Sequence, residues 1–244
     1  DKTAGQNYHS SQSAQYSGAA PACVTLRAGV GRHFMPNPIP DRMQAAILHA
    51  PLQLRVEQSP VPQISDDEIL VRVRAALTCG TDQKAFLRGH PKIRIPGPLG
   101  HEFSGEVAAI GRDVRNVSVG DRIACVHTAP CGECFFCQKG QLNLCVSLTD
   151  LMAYGAYAEY IRIPAHVHRQ NCLPLPENLS FEAAALLEPL ACCVFGINQV
   201  NVQAGETVLI VGDGPIGIML ASLAMNRKAR TIAVMGKNPL RLRV

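Results

Sequence analysis

The sequence predicts an α/β chain in which a β-rich region is followed by a single β-α-β unit. Three observations predict it. Ile69, Val71, Val73, Ala75 and Leu77 alternate with Leu70, Arg72, Arg74 and Ala76, the two-residue period of a strand with one buried face. Near Ser180 the apolar spacing lengthens towards a helical period. From Thr207 onward a buried strand, a glycine-rich turn, a helix and a second strand succeed one another.

Residues 1–42 differ from the rest of the chain, being rich in Gln, Ser, Gly and Pro with no acid between Asp1 and Asp41. This composition predicts a disordered or non-native extension, with Met43 as the expected native start. Beyond the alternating segment at 69–77, strands are expected over Phe103 to Ile110, Asp121 to His127 and Ala156 to Ile163, each bounded by Gly, Pro or polar residues. Ser180 is a candidate N-cap with Glu182 in the first turn, opening an apolar helical run to Ile197. Strands are then expected over Thr207 to Val211 and Thr231 to Met235, with a helix over Pro215 to Arg227 between them.

Bulk composition narrows the function classes. With 47% hydrophobic residues, the 244-residue chain can bury one large core or two smaller ones, and two unequal domains are expected. The net charge of +4 is too small, and the basic residues too scattered, to call for nucleic acid. The apolar stretches 183–200 and 207–225 are broken by Glu188-Pro189 and by Asp213 among glycines, which a membrane span tolerates poorly. No signal peptide is visible, so the ten cysteines suggest reduced thiols and metal in a cytoplasmic protein.

Cys131, Cys134, Cys137 and Cys145 form Cys-x2-Cys-x2-Cys-x7-Cys, with Gly132 and Gly140 allowing the loop to turn. Four thiolates at about 2.3 Å satisfy zinc and leave no position for chemistry, so this site is structural. Disulfides compete poorly, because cysteines three apart rarely reach bridging geometry. An iron-sulfur cluster is the closer competitor, but the ferredoxin run has its fourth Cys after three residues and before Pro. Here seven residues intervene and Val146 comes next.

A second group of metal-ligating side chains is scattered. Cys79 opens Cys79-Gly80-Thr81-Asp82 after the alternating strand, Gly100-His101-Glu102 comes next, and Glu188 stands in Leu187-Glu188-Pro189-Leu190. Each has a plain structural reading: a packed thiol, a satisfied histidine, and a glutamate solvating a helix end.

Taken together and in order, however, these motifs carry a resemblance. Cys79-Gly80-Thr81-Asp82, Gly100-His101-Glu102-x2-Gly105, the Gly120-Asp121-Arg122 turn before the four-cysteine loop, Glu188-Pro189-Leu190-Ala191 and a later Gly-x-Gly-x2-Gly occur as in the zinc-containing medium-chain dehydrogenases. The sorbitol, threonine and bacterial alcohol dehydrogenase branches are resembled most, from about Met43 to the last residue. The resemblance implies a GroES-like zinc-binding catalytic domain over 43–190 and an incomplete Rossmann cofactor domain over 191–244. It further implies that Cys79 and His101 bind a catalytic zinc, with Glu102 and Glu188 as the acidic ligand or the group that exchanges with it. Three protein ligands and an open fourth position let a substrate oxygen reach the Lewis acid, which favours alkoxide over alcohol and prepares hydride transfer. Thr81 matches the family hydroxyl that relays the departing proton. Many relatives carry His where this chain has Lys84, so Lys84 substitutes in the relay or the proton takes another route.

Gly212-Asp213-Gly214-Pro215-Ile216-Gly217 comes after a strand and opens a helix, the setting a dinucleotide fingerprint requires. Gly212 permits the turn, Gly214 admits the pyrophosphate, Gly217 allows close helix-strand packing, and the helix start at Pro215 and Ile216 favours the anion. The side chain of Asp213 is expected to point away from phosphate. An acid about 20 residues on ordinarily holds the NAD ribose. None occurs after Asp213, whereas Lys237, Arg241 and Arg243 would suit the 2'-phosphate of NADP, or are simply solvated basic residues.

The expected function is a zinc-dependent oxidoreductase passing hydride between a secondary alcohol or polyol and NAD or NADP, with two zinc ions and a homo-oligomeric state at full length. The alternative is a non-catalytic, zinc-stabilised fragment or interaction domain, because only one β-α-β unit is present.

Overall fold

The computed structural model describes residues 38–150 and 152–243, so the expectation for the N-terminal extension lies almost wholly outside the described residues. The described residues belong to one compact unit. In chain order its elements are β1 (Arg42–Ala50), β2 (Gln53–Pro60), β3 (Ile69–Leu77), α1 (Gly80–Arg88), β4 (Gly97–Pro98), β5 (Glu102–Ile110), β6 (Arg122–Val126), α2 (Phe135–Gln138), β7 (Tyr160–Ile163), α3 (Ala165–Asn171), β8 (Cys172–Pro174), α4 (Phe181–Ala184), α5 (Leu187–Val200), β9 (Thr207–Val211), α6 (Pro215–Asn226) and β10 (Thr231–Met235). No described helix is long and apolar enough to cross a membrane.

A five-stranded sheet in the order β7-β3-β5-β6-β8 forms the centre of the β-rich part, and β2-β1-β4 forms a smaller sheet. β3 occupies the predicted span, but Ile69, Leu70 and Val71 are all buried, so the start of the strand has no exposed face. The reason is layering: Ile69 and Val71 enter a core with Phe103, Val107, Ile123 and Ile161, while Leu70 enters another with Met43, Ala45 and Tyr160. Burial of side chains on both faces removes the polar-out half of the alternation.

The β3–β5 ladder is tight enough to require glycine. A Cβ on Gly105 would lie 2.1 Å from the Arg72 carbonyl oxygen and 2.8 Å from Val71 Cγ1. β1 begins before the expected domain start: Arg42 pairs with Pro60, and Val61 N–H donates to the Asp41 carbonyl at 3.0 Å. The strand expected from Ala156 is shorter, with β7 starting at Tyr160. Residues 156–159 instead cross the sheet edge, where Ala156 and Tyr157 N–H bond to Gly100 and Leu99, and Ala46 N–H bonds to Tyr157.

Two strands predicted from buried apolar runs, β9 and β10, keep their limits and pair in parallel, residue for residue, from Thr207↔Thr231 to Val211↔Met235. α6 crosses between them, and Ile197, Val202 and Ala224 form the core that joins α5 to this unit. The single long helix expected from Ser180 is two. Ser180 caps the short α4, accepting Ala183 N–H at 3.2 Å, and α5 begins anew at Leu187. The expected domain boundary after Leu190 therefore falls inside α5.

The expectation of reduced thiols needs one correction. Cys125 and Cys172 are disulfide-bonded, because β6 and β8 place them directly opposite each other with Cα atoms 4.3 Å apart.

Candidate functional site

Cys79 is the N-cap of α1, and its local geometry is a capping box. Its Sγ accepts Thr81 N–H at 3.5 Å, while the Asp82 carboxylate accepts Cys79 N–H at 3.0 Å. The thiol is thus fixed at the seam between β3 and α1, and burial pushes its pKa up. His101 and Glu102 arrive from the start of β5, both almost wholly buried at 3% and 5% exposure. Glu102 pairs with Val126 of β6 and with Leu77 of β3, which is how the strand start comes beside Cys79.

Ligand atoms of Cys79, His101 and Glu102 all lie within 4.8 Å of one another. Glu188, in the first turn of α5, is not in that set; its Oε1 lies 3.7 Å from Nδ1 of His127. Burial raises the Glu188 carboxyl, and its charge still acts on His101.

Asp82 ties this group together from behind. Its Oδ1 is 3.3 Å from Nδ1 of His101, at ion-pair distance but off the hydrogen-bonding direction. Its Oδ2 accepts Cys79 N–H and lies 2.9 Å from the Tyr157 hydroxyl. Burial opposes the Asp82 charge, yet the contacts with His101 and the Cys79 amide outweigh it and hold the carboxyl below the usual range. For His101, burial works against protonation and the facing Asp82 overcomes it, leaving the pKa raised.

Two side chains that carry no signal in the sequence complete the wall. His127, one residue past β6, stacks edge-on to His101 with centroids 4.7 Å apart, and Tyr154 packs on both rings at 5.4 and 5.6 Å. Burial and the nearby His101 charge bring His127 down to about 4, so it is a neutral ring at ordinary pH. Thr81 follows Cys79 by two residues and bonds its sulfur through the backbone amide, and Lys84 stands exposed one turn further along α1.

Cys131, Cys134, Cys137 and Cys145 converge with sulfurs within 4.8 Å of one another. Backbone amides point at the sulfurs: Cys131 N–H reaches Cys145 Sγ at 3.3 Å, and Cys134 N–H reaches Cys131 Sγ at 3.4 Å. Amides of Cys137 and Val146 stabilise the Cys134 thiolate and bring it down to about 6. Gly132 and Gly140 take φ of 82° and 73°, the left-handed values the loop needs.

Gly212, at φ 134°, turns the chain out of β9, and Gly214 caps α6 with Pro215 as first helical residue. A Cβ on Gly217 would lie 2.0 Å from the Gly212 carbonyl oxygen, so helix and strand approach as closely as the spacing predicts. A cleft of about 390 Å³ runs from Cys79 and Glu102, past Thr78 and Pro189, to Pro215 and Ile216. Lys237 lies just beyond β10 and is exposed.

Residues 65–177 match the alcohol dehydrogenase GroES-like domain family. Sorbitol dehydrogenase of Bacillus subtilis is 37% identical over 215 residues, covering 85% of this chain and 60% of that protein. Over these residues the chain is similar to zinc-containing medium-chain dehydrogenases. Two solved dehydrogenases are similar in structure. A candidate zinc-binding dehydrogenase from Sinorhizobium meliloti 1021, bound to NADP, has TM-score 0.76 and 33% identity over 84% of this chain and 59% of its own. The alcohol dehydrogenase of Thermus sp. ATN1 has TM-score 0.73 and 31% identity, with 82% and 60% covered. As in those dehydrogenases, a β-rich GroES-like domain leads into the first β-α-β of a Rossmann sheet. The chain spans 60% of the length of the sorbitol dehydrogenase it matches.

Proposed function

We propose that this chain is the metal-binding portion of an oxidoreductase that passes hydride between a secondary alcohol or polyol and NAD or NADP. The observation that carries the reading is the meeting of Cys79, His101 and Glu102 from separate stretches of chain, beside a cleft that reaches the glycine turn. One thiolate, one imidazole and one carboxylate are the donor classes zinc accepts, and three of them leave a fourth position for substrate. Zinc held there supplies a Lewis acid that lowers the pKa of an alcohol.

The chain's own residues do the rest. Asp82 orients His101 and fixes the Cys79 amide, so both donors are preset before metal arrives. Thr81 Oγ1 takes the alcohol proton and releases it along the exposed face of α1, where Lys84 is one turn away. Glu102 would be the acidic donor of the set, and Glu188, whose Oε1 lies 3.7 Å from Nδ1 of the neutral His127, would be the carboxylate able to take its place. Gly212, Gly214 and Gly217 admit the pyrophosphate to the start of α6 at Pro215 and Ile216. The four-cysteine loop takes a second, structural zinc, its sulfurs already facing amide donors.

Relatives that are sorbitol and alcohol dehydrogenases support the alcohol side of this reading, and a relative bound to NADP supports the nucleotide side. Alcohol-dependent reduction of NAD or NADP, monitored in this chain and in a polypeptide extended to the relatives' length, tests it. Reduction by the longer form that disappears on Cys79→Ser is the expected result. Silence from both forms, despite bound zinc, would leave a zinc-stabilised binding domain instead.

A further inference from the structure

No acid stands where the ribose of a dinucleotide is ordinarily held, at the end of the second strand. Gly236 occupies that position, directly after β10. The structure supplies a carboxylate there from another source. Asp213, in the glycine turn after β9, directs its side chain across to the neighbouring strand end, where Oδ2 accepts Asn238 N–H at 2.6 Å. Gly236 makes this possible: a Cβ at that position would lie 2.3 Å from Asp213 Cβ and 2.4 Å from Oδ2. A side chain at 236 and the Asp213 carboxylate therefore exclude each other, and this chain has kept the carboxylate.

On the reading that this turn holds a nicotinamide dinucleotide, we propose that Asp213 is the specificity-determining acid. It accepts the adenosine ribose hydroxyls and selects NAD over NADP. Oδ2 is committed to Asn238, which leaves Oδ1 to receive a hydroxyl; a 2'-phosphate would bring its charge against the same carboxylate. The amides after β10, which could cradle a phosphate, already face Asp213. Arg241 is partly answered by the Asp213 charge, and Lys237 and Arg243 are exposed, where solvent and salt weaken them. The carboxylate at contact outweighs screened cations at a distance, contrary to what net local charge alone suggests.

Calorimetric titration of the chain with NAD and with NADP tests this without any variant, and needs no turnover. NAD binding at least about tenfold tighter is expected, with the same preference for ADP-ribose over its 2'-phosphate. Asp213→Asn keeps an oxygen for Asn238 N–H, so the turn persists, and should erase the preference; Asp213→Ala should do the same. NADP binding as tight as NAD, or a preference unchanged in Asp213→Asn, overturns the inference and leaves the cofactor reading standing. Binding of neither nucleotide, by this chain and by the polypeptide extended to the relatives' length, overturns both.

Discussion

The Asp82 carboxylate lies 3.3 Å from the ring of His101 while its other oxygen receives the amide of Cys79. One buried acid thus positions two of the three candidate metal donors. A carboxylate behind a ligating imidazole orients the ring and raises its basicity. Asp82→Ala should weaken zinc at the Cys79, His101 and Glu102 site by roughly 10- to 100-fold while the four-cysteine loop keeps its metal. Zinc content after dialysis against graded chelator is the measurement; equal loss from both sites would argue for general unfolding instead.

Metal at the four-cysteine loop should be required for fold and not for chemistry. Cys145→Ser removes the sulfur that faces the Cys131 amide. The variant should retain roughly half of the bound zinc and become open to protease between 131 and 145. Retention of full zinc with unchanged proteolysis would contradict the closed-site reading.

Arg122 holds the approach to α5. Its guanidinium donates to the carbonyls of Pro176 and Glu177, each at 3.1 Å, and of Leu179, and lies 4.6 Å from the centre of the Phe181 ring. These contacts set the segment that carries Glu188 towards the site. Arg122→Met should cost about 2 kcal/mol, from charge-assisted bonds lost at a half-exposed site. Arg122→Lys should recover little of it, since an ammonium cannot span three carbonyls. Urea denaturation at constant m-value is the check.

The turn after β10 should loosen in acid. The Asn238 amide holds the Asp213 carboxyl below the ordinary aspartate range. A depressed folded value means the stabilisation is present above the unfolded aspartate pKa and is lost as pH falls through the folded one. Hydrogen exchange at Asn238 N–H, corrected for intrinsic pH dependence, should speed up over that acidic window, and Asp213→Ala should abolish the transition. A protection profile flat through the same range would show that the bond does not hold the turn.

Legibility in the sequence depends on whether the cause is local. β3, β9 and β10 are readable to the residue because apolar runs end where pairing ends, and the four cysteines sit in one short loop. The glycine turn is readable because a positive φ at 212 and close approach at 217 each favour glycine. α1 is easy to miss because Gly80–Arg88 is short and mostly polar, with Ala85, Phe86 and Leu87 as its main apolar residues, and it is started by the Cys79 capping box. His127 and Tyr154 are invisible in the sequence because their importance comes from rings meeting across segments distant along the chain. The Cys125–Cys172 bridge is hidden for the same reason, since it depends on β6 lying beside β8. The sequence directs Asp213 only away from phosphate; where it goes requires the fold to bring Asn238 close.

The most direct test of the metal-site assignment is anomalous diffraction at the zinc edge from crystals of the chain grown with zinc. Two peaks are predicted, one among the four cysteine sulfurs and one bounded by Cys79 Sγ, a nitrogen of His101 and an oxygen of Glu102. A single peak in the cysteine loop, with His101 turned away from Cys79, would contradict it.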